Sequence, residues 1–162
     1  MPTLDWSDQL LLELPAMDDT HREFVDLLAQ VEQANDDSVL TRWSALVTHT
    51  EAHFGQEDAW MQETGFSSGN CHSTQHRIVL QVMQEGQARA DAALVRQLAV
   101  ELAQWFPQHA QSMDAALALH LRNVGFDFEA GMLTLPGVLP ASLIQGCGGS
   151  QCAGPETRPT HA

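Results

Sequence analysis

The sequence predicts an all-α protein, an antiparallel up-down four-helix bundle with an N-terminal arm and an irregular C-terminal tail. Three observations predict it. Apolar residues recur at helical period in four successive stretches. Capping and turn residues bound those stretches, among them Asn35-Asp36-Asp37-Ser38, Gly65, Gly86 and Asp91. All four stretches also carry His or acidic residues on the apolar stripe, where a plain bundle would carry Leu, Val or Ala.

Residues up to about Ala16 read as an arm, with Trp6, the Leu10-Leu11-Leu12 cluster and Pro15, apolar enough to lie against the bundle. The first helix is expected to start at Asp18 or Asp19, both good N-caps. Its stripe is Met17, Phe24, Val25, Leu28 and Val31, and His21 falls inside it. The second helix is expected over residues 39–64, with the stripe Trp43, Leu46, Val47, Phe54, Trp60 and Met61. His53 and Glu57 share that face. The third is expected over 71–85, with Gly86 just past its end; its inward face reads His72, His76, Val79, Leu80 and Met83. Asp91 caps a fourth helix that continues to about Arg122 on Leu94, Val95, Leu98, Leu102, Trp105, Phe106 and Met113. Residues 1–125 thus form the bundle. Residues 126–162 form an extension: an apolar strap to about Ile144, then a Gly-rich tail of disordered composition with Cys147 and Cys152.

At 162 residues the chain can bury a real core as one domain. Its 21 acidic and 7 basic residues give a formal charge of −14, which repels phosphate backbones and anionic lipid. Nucleic acid and membrane are therefore excluded as expected partners. No basic-then-apolar leader and no apolar window of about 20 residues is present. Cys71, Cys147 and Cys152 make an odd count, against a secreted disulfide framework, so a reducing cytoplasm is the expected location.

The stripe polar residues carry the chemistry. His53 with Glu57, and His72 with His76, are i,i+4 pairs that point to one side of a helix. His21, His109 and Asp114 come from the other two stretches. Buried carboxylates are costly unless paired or metal-bound, and a buried imidazole needs partners for both nitrogens. Five imidazoles and two carboxylates cannot satisfy one another in an apolar interior. A metal removes the problem, since each ring gives one nitrogen to the ion and the other to an acceptor behind it. Ligands of this kind suit iron, manganese or zinc. Seven are too many for one tetrahedral zinc but suit two ions bridged by carboxylates, with Glu57 and Asp114 as the bridges. Asp114 lies five residues after His109, about 140° around a regular helix. A π-type turn would align them, so an irregularity is expected near His109, with Pro107 a second reason for it.

On these motifs the chain resembles the bacterial hemerythrins, single-domain di-iron oxygen-binding proteins. Trp6, Met17-Asp-Asp-Thr-His21, His53-Phe-Gly-Gln-Glu57, His72-x-x-x-His76 and Trp105-Phe-Pro-Gln-His109-x-x-x-x-Asp114 follow the family's order over about residues 1–125. The resemblance implies one iron held by His72, His76 and His109, and a second held by His21 and His53 with an open position. It implies that Glu57 and Asp114 bridge, with an oxo or hydroxo group, and that dioxygen binds reversibly as a hydroperoxide on the less-coordinated iron.

Phe54, Trp105 and Phe106 adjoin ligand positions and are expected to wall the oxygen pocket against water. Pro107 and Ala110 depart from the family pattern; a small residue at 110 is expected to widen that pocket. His49, one turn before His53, is a candidate partner behind a ligand or a surface residue. His120 reads as a packing or surface residue, and Cys71, about 100° from His72, as no ligand. Cys147 and Cys152 could form a reversible disulfide, and the tail could take a protein partner.

The leading function is reversible dioxygen binding for storage, delivery or scavenging, by a protein that is not an enzyme. The alternative is a di-iron enzyme or sensor acting on peroxide, nitric oxide or oxygen. The chain has no Tyr, which limits redox relays to Trp and Cys.

Overall fold

The computed structural model describes residues 2–66, 71–130, 132–134 and 139–140. Four antiparallel helical rods make up the bundle: α1 (Pro15–Gln33), α2 (Val39–Glu63), α3 (Cys71–Arg89), and a fourth rod built from α4 (Ala92–His109), a π turn (Ala110–Asp114) and α5 (Ala115–Asn123). Among the described residues the only strands are β1 (Phe126–Asp127) and β2 (Met132–Leu133), an antiparallel ladder pairing Phe126 with Leu133.

Two apolar clusters hold the rods together. The upper one takes Phe24, Leu28 and Val31 from α1, Trp43 and Leu46 from α2, Met83 from α3, and Val95, Leu98 and Phe106 from α4. Side chains of this size each contribute about 1.5–3 kcal/mol when fully buried. The Trp43 indole N–H donates to the Met83 carbonyl at 3.1 Å, so its polar edge is satisfied in that interior. The lower cluster gathers Leu14, Met17, Met61, Phe66, Leu117 and Leu121, with Phe126 and Phe128 folded over Trp60. Along α1 the chain climbs from Met17 to Val31. Along α2 it descends from Val39 to Met61, and the fourth rod descends from Val95 to Leu121. The ligand candidates occupy the level between the two clusters.

Two expectations about helix ends are corrected. The first helix starts at Pro15, with Leu14 as N-cap, and not at Asp18 or Asp19. Pro is well suited to a first turn, where its missing N–H costs nothing. Asp18 is buried inside α1 and accepts from the backbone N–H of Leu12 at 2.8 Å and of Leu14 at 3.0 Å, tying the arm to the bundle. At the next turn the Asn35 side chain accepts from Ser38 N–H and Oγ–H, while Ser38 at the N-cap makes no side-chain cap bond. Gly86 lies within α3, which runs on to Arg89. A Cβ there would stand 2.6 Å from Leu98 Cδ1, so this glycine allows α3 and α4 to approach closely. Ala90, in the left-handed region at φ 50°, ends the helix instead.

Asp91 caps α4 by accepting from the N–H groups of Ala93 and Leu94. The expected irregularity is the π turn. The Ala115 N–H bonds back to the Ala110 carbonyl, five residues earlier, immediately after His109. The helix continues through Pro107, so the wide turn and not a break is the departure from regularity.

The arm packs through Leu4, Trp6 and Leu10 on the upper cluster, with the Arg22 guanidinium 4.9 Å from the Trp6 ring centroid. Part of the expected strap is the β1–β2 turn packed on the lower cluster. Residues 141–162, with Cys147 and Cys152, lie outside the described residues.

Candidate metal centre

All four rods contribute to one buried polar level. α1 supplies His21, α2 supplies His53 and Glu57, α3 supplies His72 and His76, α4 supplies His109, and the π turn ends on Asp114. All seven are buried. Each i,i+4 pair is brought together by one turn of its helix, and the extra residue of the π turn does the same for His109 and Asp114. His109 Nε2 lies 3.1 Å from Asp114 Oδ1.

The carboxylates divide the centre into halves. Glu57 Oε1 faces His53 Nε2 at 3.1 Å and His21 Nε2 at 3.6 Å. Its other oxygen, Oε2, faces His76 Nε2 at 3.3 Å and His72 Nε2 at 3.5 Å. Asp114 repeats the split, with Oδ2 3.2 Å from His21 Nε2 and Oδ1 2.9 Å from His72 Nε2. One half therefore holds His72, His76 and His109. The other holds His21 and His53. Each half also has one oxygen from each carboxylate.

A cation fits this donor set. His76 Nδ1 donates to Asp58 at 3.0 Å and His109 Nδ1 to Gln75 Oε1 at 3.2 Å. With those protons placed, the Nε2 atoms of both neutral rings carry only lone pairs, yet they face each other at 3.2 Å. His21 Nε2, His72 Nε2, Glu57 Oε2 and both Asp114 oxygens are buried with no hydrogen-bond partner. Convergent, unpartnered acceptors need positive charge between them. Donor atoms of Glu57, His72, His76, His109 and Asp114 all lie within 4.8 Å of one another, as do those of His21, His53 and Glu57.

In the metal-free chain protons supply that charge. Burial pushes the His21 pKa down, but the Asp114 and Glu57 carboxylates beside it outweigh burial and lift it to about 10. The same opposition lifts His72 to about 9. Burial would raise Glu57 and Asp114, yet the surrounding imidazoles hold both well below the ordinary carboxylate range. His109 moves the other way, lowered chiefly by burial.

The aromatic residues are unevenly placed. Phe54 stacks on His76 at 4.0 Å and Trp105 on His109 at 4.4 Å, both in the three-histidine half. Phe106 meets the other half edge-on at His21, 5.2 Å away, and Phe54 also reaches it, tilted against His53 at 5.3 Å. Ala110 is buried in the upper cluster. Beside the two-histidine half lies a cavity of about 270 Å³, lined by Met17, Thr20, Glu23, His49, His53 and Glu57 among others, and neither Phe54, Trp105, Phe106 nor Ala110 lines it.

His49 bonds through Nε2 to the Thr20 carbonyl at 3.1 Å, and burial is the first cause of its lowered pKa. His120 donates to the Thr64 carbonyl at 2.8 Å and meets Phe66 edge-on, fastening α5 to the end of α2. Cys71 is half-buried at the start of α3 and belongs to neither group of close donors. Asp58 and Gln75 escape sequence reasoning. Each braces a histidine on a neighbouring helix, and spacing along one helix carries no signal of that. No helix among the described residues is long and apolar enough to cross a membrane.

The profile of the hemerythrin HHE cation binding domain matches residues 13–119. The bacteriohemerythrin of Ralstonia nicotianae is 38% identical over 130 residues, covering 78% of this chain and 95% of that protein. Bacteriohemerythrins of Stenotrophomonas maltophilia (24% identical, 81% of this chain and 92% of that protein) and Pseudomonas paraeruginosa (25%, 76% and 84%) are more distant. No solved structure matches the chain.

Proposed function

The chain belongs to the hemerythrin HHE cation-binding family, and from that premise we propose that it holds two iron ions in the buried centre and binds dioxygen reversibly. The observation that carries this reading is the splitting of Glu57 and Asp114, each of which offers one oxygen to each half of the centre. A lone ion would use one such set of donors; two sets joined by shared carboxylates suit a pair.

His72, His76 and His109 would hold one iron and His21 and His53 the other. A bound iron pair supplies the two electrons that reversible dioxygen binding needs. The chain supplies the rest. Asp58 and Gln75 fix two of the rings by hydrogen bonds at Nδ1. Phe54 and Trp105 cover the three-histidine half, and Phe106 presses against His21, limiting water at those faces. The two-histidine half has fewer protein donors and adjoins the cavity, so dioxygen is expected to bind there.

One observation favours a second reading, an enzyme or sensor acting on peroxide, nitric oxide or oxygen. The cavity beside His53 and Glu57 carries Glu23, His49 and Gln56, polar groups that would admit water and protons. Anaerobic reconstitution with ferrous ion, followed by air, separates the two. Two irons per chain and a visible band that vanishes under argon would establish the carrier. Two irons with immediate irreversible oxidation would favour the enzyme or sensor. Fewer than two irons would overturn the di-iron centre itself.

A further inference from the structure

The seven ligand candidates are buried, so an ion reaching them has to pass through the protein. The cavity between α1 and α2 touches two of them, His53 and Glu57. Farther out it is lined by Glu23, whose side chain is 70% exposed, and by His49, whose side chain is 15% exposed.

The orientation of His49 is informative. Its Nε2 faces the Thr20 carbonyl oxygen, which can only accept, so that nitrogen carries the proton. Nδ1 of the neutral ring then presents a lone pair, and it faces a Glu23 carboxylate oxygen at 3.6 Å. Two acceptors so placed repel unless positive charge stands between them. A divalent ion about 2.1 Å from each would sit at an open angle within that gap. An imidazole that binds metal through one nitrogen while donating from the other to a backbone carbonyl is the arrangement a ligand histidine adopts.

We infer that this cavity is the route by which a divalent cation enters the centre, with Glu23 and His49 as a two-ligand staging site that hands the ion inward to His53 and Glu57. Two ligands hold an ion weakly, which suits passage over storage. The chain's charge of −14 favours cations at its surface generally, and the Glu23–His49 pair gives that attraction a location. The inference rests on the buried centre being a resting metal site.

The test is uptake of Co²⁺, and of Fe²⁺ without oxygen, by the metal-free protein in a stopped-flow instrument, with ions counted per chain at the end. Glu23→Gln and His49→Gln are each expected to slow uptake about fivefold or more while leaving the final count unchanged. The double variant should be no slower than the slower single one, because losing either ligand already abolishes the pair. Glu51→Gln, an exposed acid on α2 about 200° from His49, controls for general charge. Wild-type rates in Glu23→Gln and His49→Gln would overturn the route, and so would an equal slowing in Glu51→Gln. A wild-type count below two with both site variants still slow would overturn the di-iron reading and leave the route standing.

Discussion

The two halves of the buried centre are built from the same side-chain types and differ in what stands behind them. In the three-histidine half, two rings donate from Nδ1 to another helix and two are stacked by aromatic residues. In the two-histidine half neither Nδ1 has a hydrogen-bond partner, and the neighbouring space is a cavity. A ring fixed at its far nitrogen keeps its lone pair aimed at one point, whereas an unbraced ring can adjust. The contrast predicts that the braced half holds a cation more tightly than the half beside the cavity.

The largest effect should come from erasing the contrast. Glu57 serves both halves, so Glu57→Ala is expected to weaken both metals by more than about 100-fold, beyond the range of a residue behind a ligand. Metal analysis after gel filtration checks this, and retention of two tightly held ions would refute the shared role. Asp58→Ala should sharpen the contrast, releasing one metal of two to a chelator about 10–100-fold more readily while the other stays. Equal release of both would mean that bracing at His76 does not distinguish the halves.

A third effect concerns pH. His21 and His72 are raised from 6.5 to about 10 and about 9 in the folded metal-free chain. Their contribution to stability is therefore fully present below about pH 6.5 and is lost as pH rises through 9 to 10. Glu57 and Asp114, held below 4.5 and 3.8, contribute above those values and lose the contribution as pH falls through their depressed range. Thermal melts of the metal-free protein should fall between pH 6.5 and 10, while the loaded protein, its positive charge supplied by metal, should hardly change. Parallel melts for the two forms would refute the assignment. The smallest effect is expected from Trp105→Leu, which removes one stacked contact worth about 0.5–1.5 kcal/mol. It should lower the melting temperature slightly and leave the metal count at two.

How much of this was legible beforehand depends on whether a relation runs along a helix or across helices. His53 with Glu57, and His72 with His76, announce themselves by spacing, and the mismatch between His109 and Asp114 foretells a wide turn. Asp58 and Gln75 meet their histidines from neighbouring helices, so no spacing reveals them. Gly86 resembles a helix terminator in sequence because its real constraint, Leu98 on another rod, is invisible there. Asp18 resembles a cap because a short acid near a helix start usually is one. Here Pro15 starts the helix first and the carboxylate reaches back to the arm. The cavity, a space between helices, has no signature in one chain's residue order.

The wide turn from Ala110 to Asp114 also bears on how such chains can differ in length. A π turn is a regular helix carrying one inserted residue. Removing the exposed Ser112 would leave His109 and the following acid four apart, as in the other two pairs, with α5 still in phase behind them. Spacings of four and five at this point are thus interchangeable solutions of one geometry.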